Sequence, residues 1–261
     1  MLDKLKRWFG VTPAATPSPE LWMRIEMRLP FLTYLPDEAR RRLRTLAAGF
    51  LAEKEFYGAR GLALDDEIML SIAAQACLPI LSTGLSAYRG WVGIVVYPGD
   101  FVVPCREMDA AGVVHEFDDI LLGEARADGP VLVAWFDGGG PAGVNVVIHE
   151  FAHKLDMANG PADGSPALPA DMSRKKWGDA FSAAYERLCR LDDAGIQTIL
   201  DPYAATHPAE FFAVASEAFF EMPASLRVEF PAVYVQLAAF YGVDPAVGEE
   251  RVSGTRFAPR E

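Results

Sequence analysis

Residues 143–156 read GVNVVIHEFAHKLD, and this segment limits the chain more than any other. Val146, Val147, Ile148, Phe151, Ala152 and Leu155 put apolar groups around most of a helix, so the helix is expected to be buried on most sides. His149 and His153 stand four positions apart within it. Over that interval a helix rises about 6 Å and turns a little more than once, so both imidazoles project toward one point. Polar groups in an apolar interior need partners. A Zn²⁺ ion, which takes neutral imidazoles at about 2.0–2.1 Å, would supply one. Glu150 follows the first histidine, where its carboxylate reaches a metal-bound water rather than the metal. Its expected role is to take the proton from that water as it attacks a carbonyl, then to deliver it to the leaving amine. The plainer alternative is a polar stripe on a core helix, but the chain has only four histidines in all, so the pattern is specific.

A catalytic zinc needs a third protein ligand. The HxxGxxH continuation is absent, since Asp156 and Asn159 occupy the glycine and histidine positions. Downstream, residues 201–220 read DPYAATHPAEFFAVASEAFF. Pro208 suits a first helical turn, and Glu210 lies just inside it among Phe211, Phe212 and Val214. A carboxylate in such a setting calls for a cation, which makes Glu210 the leading third ligand. Glu217, about two turns on, is the rival ligand; Glu217 or Asp156 could instead orient a ligand imidazole from behind. At spacing 149, 153 and 156, Asp156 lies on the ligand face, where a fourth ligand is also open, but an acceptor behind an imidazole or a helix end beside the Asn159-Gly160 turn is favoured over direct ligation. Tyr203 precedes Glu210 by seven positions, and spacing leaves it open between a packed ring and a phenol that reaches the oxyanion. His207, just before Pro208, reads as a cap, and His115 as structural.

The 261 residues hold 24 Lys+Arg against 36 Asp+Glu, a formal net charge of −12. Such a chain repels phosphate backbones, so nucleic acid is not expected as a partner. Cys77, Cys105 and Cys189 are odd in number and far apart, which fits a reducing compartment. No stretch reaches the roughly 18 apolar residues of a membrane span, and MLDKLKRWFG lacks the apolar run of a signal peptide. A soluble, cytoplasmic protein without a stable membrane anchor is the expectation.

Along the chain, residues 1–19 read as an arm and Pro-rich linker, and 20–80 as a helical layer. Residues 91–136 read as a small sheet built from WVGIVVYP, FVVP, GVVHEF and GPVLVAW, and 144–242 as the helices that bear the site. A single domain over 20–250 followed by a tail over 251–261 gives an α+β fold. GPVLVAW fits an edge strand that would align an extended peptide, with an ordinary core strand as the plainer alternative. The glycine-rich stretch 137–143 reads as a gate or as a simple connector.

With these residues in view, the sequence resembles the Mlc titration factor family of bacterial gluzincin-type zinc peptidases. The matching segments are YPGDFVV (97–103), GPVLVAWFD (129–137), GVNVVIHEFAHKLD (143–156) and DPYAATHPAEFFAVASEAFF (201–220). The resemblance implies a zincin-like core similar to that of anthrax lethal factor, with an added N-terminal helical layer. It implies His149, His153 and Glu210 as zinc ligands, Glu150 as base and Tyr203 as transition-state donor. It also implies an aminopeptidase-like activity on peptide substrates. A second implied role is to bind a transcriptional repressor resembling Mlc, which controls glucose phosphotransferase genes. A non-catalytic regulator with a secondary zinc site is therefore the alternative.

Overall fold

The structure, a computed structural model, describes residues 17–108, 114–136 and 144–256. The arm over 1–10 and the glycine-rich 137–143 stretch lie outside them. The first helix, α1 (Pro19–Arg28), starts where the Ser18 hydroxyl accepts from the Leu21 N–H, and it buries Leu21, Trp22 and Ile25. Helix α2 (Asp37–Glu53) turns Leu43, Ala47, Phe50 and Leu51 inward, the 3/4 spacing expected of a helix with one apolar face. Helix α3 (Asp66–Ala76) is capped by Asp65, whose carboxylate accepts from Ile68 N–H at 2.8 Å.

Helix alone does not account for 20–80. Strand β1 (Glu55–Gly58) follows α2 directly and pairs in parallel with β2 (Gly93–Pro98). Four residues carry too little alternation to read as a strand; what makes β1 is pairing with a partner nearly forty residues away. The sheet order is β1-β2-β6-β5, with β6 (Val131–Trp135) parallel to β2 and the short β5 (Gly123–Ala125) antiparallel to β6.

Two expectations about the sheet are corrected. GPVLVAW is not an edge strand: β6 runs between β2 and β5, and all five of its residues are buried. The edge on that side is β5, three residues that the sequence does not announce. The FVVP and GVVHEF runs do not join the main sheet either. They form β3 (Phe101–Met108) and β4 (Val114–Leu121), a separate antiparallel hairpin in register from Phe101↔Leu121 to Met108↔Val114. The reason is geometric: β1 and β6 already take both edges of β2, so the chain leaving β2 at the Gly99 turn (φ 98°) has no free neighbour there.

Six helices follow. Helix α4 (Val146–Asp156) carries the two histidines, and α5 (Arg174–Asp193) stacks Trp177 on Phe181 with ring centroids 4.2 Å apart. Helix α6 (Pro208–Glu221) buries an almost continuous run of side chains and packs on α4; α7 (Pro223–Glu229) and α8 (Pro231–Tyr241) pack against it, and α9 (Pro245–Arg256) packs on α7 and on the Pro30–Tyr34 turn. Helix α9 reaches Arg256, so the described part of the expected 251–261 tail is helical. No helix among the described residues is long and apolar enough to cross a membrane.

Candidate metal centre

The local sequence dictates where α4 begins. Asn145 caps it, its side-chain oxygen accepting from Ile148 N–H at 2.9 Å. The Asn145 amide group donates to Gln75 Oε1 at 2.8 Å and to Glu221 Oε1 at 2.7 Å, and its backbone N–H donates to Glu217 Oε2. One residue thus fixes the start of α4 against α3 and α6. An asparagine before an apolar helical run is a legible cap signal, although its links to α3 and α6 are not. On the side away from α6, Phe151 packs against the rings of Phe50, Tyr88 and Trp91 at 5.6, 5.2 and 5.8 Å. That aromatic cluster sets the rotation of α4 about its axis and so aims the histidines at α6.

Helix α6 begins at Pro208, with His207 as its cap: Ala209 N–H donates to His207 Nδ1 at 3.1 Å. Glu210 therefore sits in the first turn, facing the imidazoles. Its Oε2 lies 3.0 Å from His149 Nε2 and 3.2 Å from His153 Nε2, and the two Nε2 atoms are 3.1 Å apart. Among the described residues, His149, His153 and Glu210 are the group whose donor atoms could hold a metal ion. Ligands at about 2.0–2.1 Å in a tetrahedral shell stand about 3.3 Å from one another, so this triangle is close to the size one Zn²⁺ would require.

Electrostatics agree with that fit. Burial alone would lower His149, but hydrogen bonds to Glu210 and Glu217 and the nearby Glu150 charge outweigh it and raise the group to about 10. Burial would raise Glu210, yet the two histidines hold it down to about 2. Glu150, 5% exposed, is pushed up to about 7, chiefly by burial. The His149 and Glu210 shifts have the sense of carboxylates and imidazoles that favour positive charge between them, whereas that of Glu150 comes chiefly from burial.

Glu217 does not join the triangle. It lies behind His149, with Oε1 2.7 Å from Nδ1. With Nδ1 engaged by that carboxylate, Nε2 is the ring nitrogen turned to the centre. Asp156 behaves differently: its Oδ2 accepts from Gly164 N–H at 2.7 Å, and burial raises its carboxyl while that bond counters the rise. Gly164, at φ 80°, presses so closely on the Pro208 carbonyl that a Cβ there would stand 2.6 Å from the oxygen. Asp156 thereby ties the loop after α4 to the first turn of α6, the turn that bears Glu210. Asp156 Oδ1 and His153 Nδ1 are both buried without a hydrogen-bond partner among the described residues.

Tyr203 stands on the short turn Pro202–Ala205, where Asp201 Oδ1 accepts its backbone N–H at 2.8 Å. Its ring centroid is 6.2 Å from that of His149, and at 51% exposure it forms the rim of the site. A cavity of about 320 Å³ opens there. Leu121, Leu122, Val144, Val146 and Val214 make its apolar walls, with His149, Glu150, Asp201, Tyr203 and Glu217 as its polar groups. Leu121, Leu122 and Gly123 bring the end of β4 and the start of β5 to this cavity, a contribution that no periodicity in the sequence marked.

Residues 4–242 match the family described as glucose-regulated metallo-peptidase M90. The chain belongs to this family. Similar curated proteins cover most of its length. The Mlc titration factor A of Cronobacter sakazakii is 36% identical over 224 residues, 84% of each chain. That of Salmonella arizonae is 37% identical over 227 residues, 84% of this chain and 90% of the relative. An uncharacterized protein of Synechocystis sp. is 36% identical over 238 residues, 88% of this chain and 86% of the relative. As a member of the M90 family the chain joins metallopeptidases, and its donor cluster lies inside the matched span.

Proposed function

We propose that the protein is a zinc-dependent, gluzincin-type peptidase with a zincin-like domain over residues 20–250, cytoplasmic and aminopeptidase-like in its choice of substrate. The observation that carries this reading is the convergence of three donors from two helices beside a buried glutamate and an apolar cavity. In it, His149, His153 and Glu210 hold Zn²⁺, which when bound acidifies water and polarises the scissile carbonyl. Glu150 accepts the proton of the attacking water and returns it to the leaving amine; its raised proton affinity suits a group that must do both. Tyr203, at the rim beside His149, donates a hydrogen bond to the oxygen that gains charge. Glu217 keeps His149 in its ligating tautomer. The walls made by Leu121, Leu122, Val144, Val146 and Val214 exclude water from the reacting groups.

The test pairs metal analysis with hydrolysis of short chromogenic aminoacyl substrates. One zinc per chain, activity lost to chelator and regained with Zn²⁺, and a Glu150→Gln variant that keeps zinc but loses about 10²–10⁴-fold in rate are the expected results. Full activity in Glu150→Gln, or a metal content well below one per chain after metal-replete purification, would refute the reading.

The name of the relatives favours a second reading, in which this protein binds a transcriptional repressor resembling Mlc. The expected outcome is a stable complex that forms equally with Glu150→Gln. Absence of a complex between the purified proteins would remove this role.

A further inference from the structure

The edge strand β5 approaches α4 at one point more closely than a side chain would permit. A Cβ built on Gly123 would stand 2.3 Å from Glu150 Oε1, 2.6 Å from Cγ and 2.7 Å from Cδ. The Glu150 carboxylate thus lies directly on the bare backbone of residue 123. Packing against Gly123 therefore sets where the carboxylate lies.

One turn along α4, Lys154 reaches the same hairpin. Its ammonium donates to the carbonyls of Arg126, at 3.2 Å to that of Ala127 and at 3.1 Å to that of Gly129. These carbonyls belong to the turn that links β5 to β6. Residues 150 and 154 are one helical turn apart and share a face. One meets the strand and the other clamps the turn that follows it.

We infer that Gly123 is a positioning residue for Glu150, and that Lys154 holds the β5–β6 turn so that the glycine stays in place. This rests on the peptidase reading for its meaning in catalysis, but the geometry stands without it. The atoms a new Cβ would meet are mostly the outer part of a flexible side chain, so the fold can yield by rotating Glu150 away. The substitution is mild for the fold and severe for the placement of the carboxylate.

The experiment compares wild type, Gly123→Ala and Lys154→Met by crystal structure, zinc content, melting temperature and steady-state hydrolysis. In Gly123→Ala the Glu150 carboxylate should move by about 1 Å or more, zinc should stay near one per chain, and the melting temperature should shift little. The value of kcat should fall at least about tenfold with KM changed less than about twofold, since a displaced base weakens the chemical step rather than substrate binding. Lys154→Met should displace the 126–129 turn and lower kcat by a smaller factor. An unmoved carboxylate in the Gly123→Ala crystal structure, or an unchanged kcat, would overturn the inference. If the wild type itself hydrolyses nothing, the peptidase reading fails, while the crystal structures still decide whether Gly123 places Glu150.

Discussion

Helix α4 separates two ways of keeping charge inside a protein. On the side facing α6, carboxylates and imidazoles crowd together: Glu210 and Glu217 flank His149, and Glu210 also touches His153. On the side facing the sheet, Lys54 and Lys154, 6% and 5% exposed, have ammonium groups 3.8 and 4.6 Å from the centre of the Trp91 ring. Lys54 donates to the carbonyls of Tyr88 and Trp91, both at 2.7 Å, and Lys154 to those of the 126–129 turn. The lysines are satisfied by fixed neutral dipoles and an aromatic face. The anionic side has no such closure; its donors aim at a common point and shift one another's proton affinities toward a central positive charge. Complete satisfaction marks the structural cluster, and convergent lone pairs mark the one built to take up an ion.

This contrast can be broken experimentally. The largest effect is expected at Glu210, where Glu210→Gln removes the anionic donor of the triangle and should weaken zinc binding by well over about 100-fold, beyond the usual cost of losing an orienting partner. Competition with a chromogenic chelator measures it, and unchanged affinity would remove residue 210 from the ligand set. Glu217→Gln comes next. It leaves all three donors but weakens the hold on His149 Nδ1, so a loss of about 10–100-fold in the same assay is expected. Lys54→Met should have the smallest effect on the metal, leaving affinity unaltered. It strands the Tyr88 and Trp91 carbonyls, so a loss of about 1–3 kcal/mol in denaturant unfolding is expected. A fall in zinc affinity in that variant would show that the two clusters are not independent.

The HEFAH segment was legible because its information is local: helical spacing alone aligns His149 with His153. Glu210 was legible by a different route, as a carboxylate in an apolar helix that needed a counter-charge. Strands β1 and β5 escaped because four and three residues carry no usable period, and their pairings span distances that only the folded chain reveals. The same shortness explains the misplaced edge: β6 looked like a border strand because the three residues that cover it look like loop. Gly123 was silent for a further reason, since a glycine's role in close packing belongs to whatever lies against it. The spacing leaves Asp156 open between a fourth ligand, an acceptor behind an imidazole and a helix end; it is the last residue of α4, and its carboxylate also braces Gly164.

Glu210 follows His149 and His153 by 61 and 57 positions. An ion gripping all three would act as a staple across a long excursion of polypeptide that includes all of α5. Closing such an excursion has an entropic cost that apolar packing between α4 and α6 must otherwise meet unaided. Zinc supply during synthesis would then influence how readily the C-terminal helices dock, and not merely whether the finished protein works.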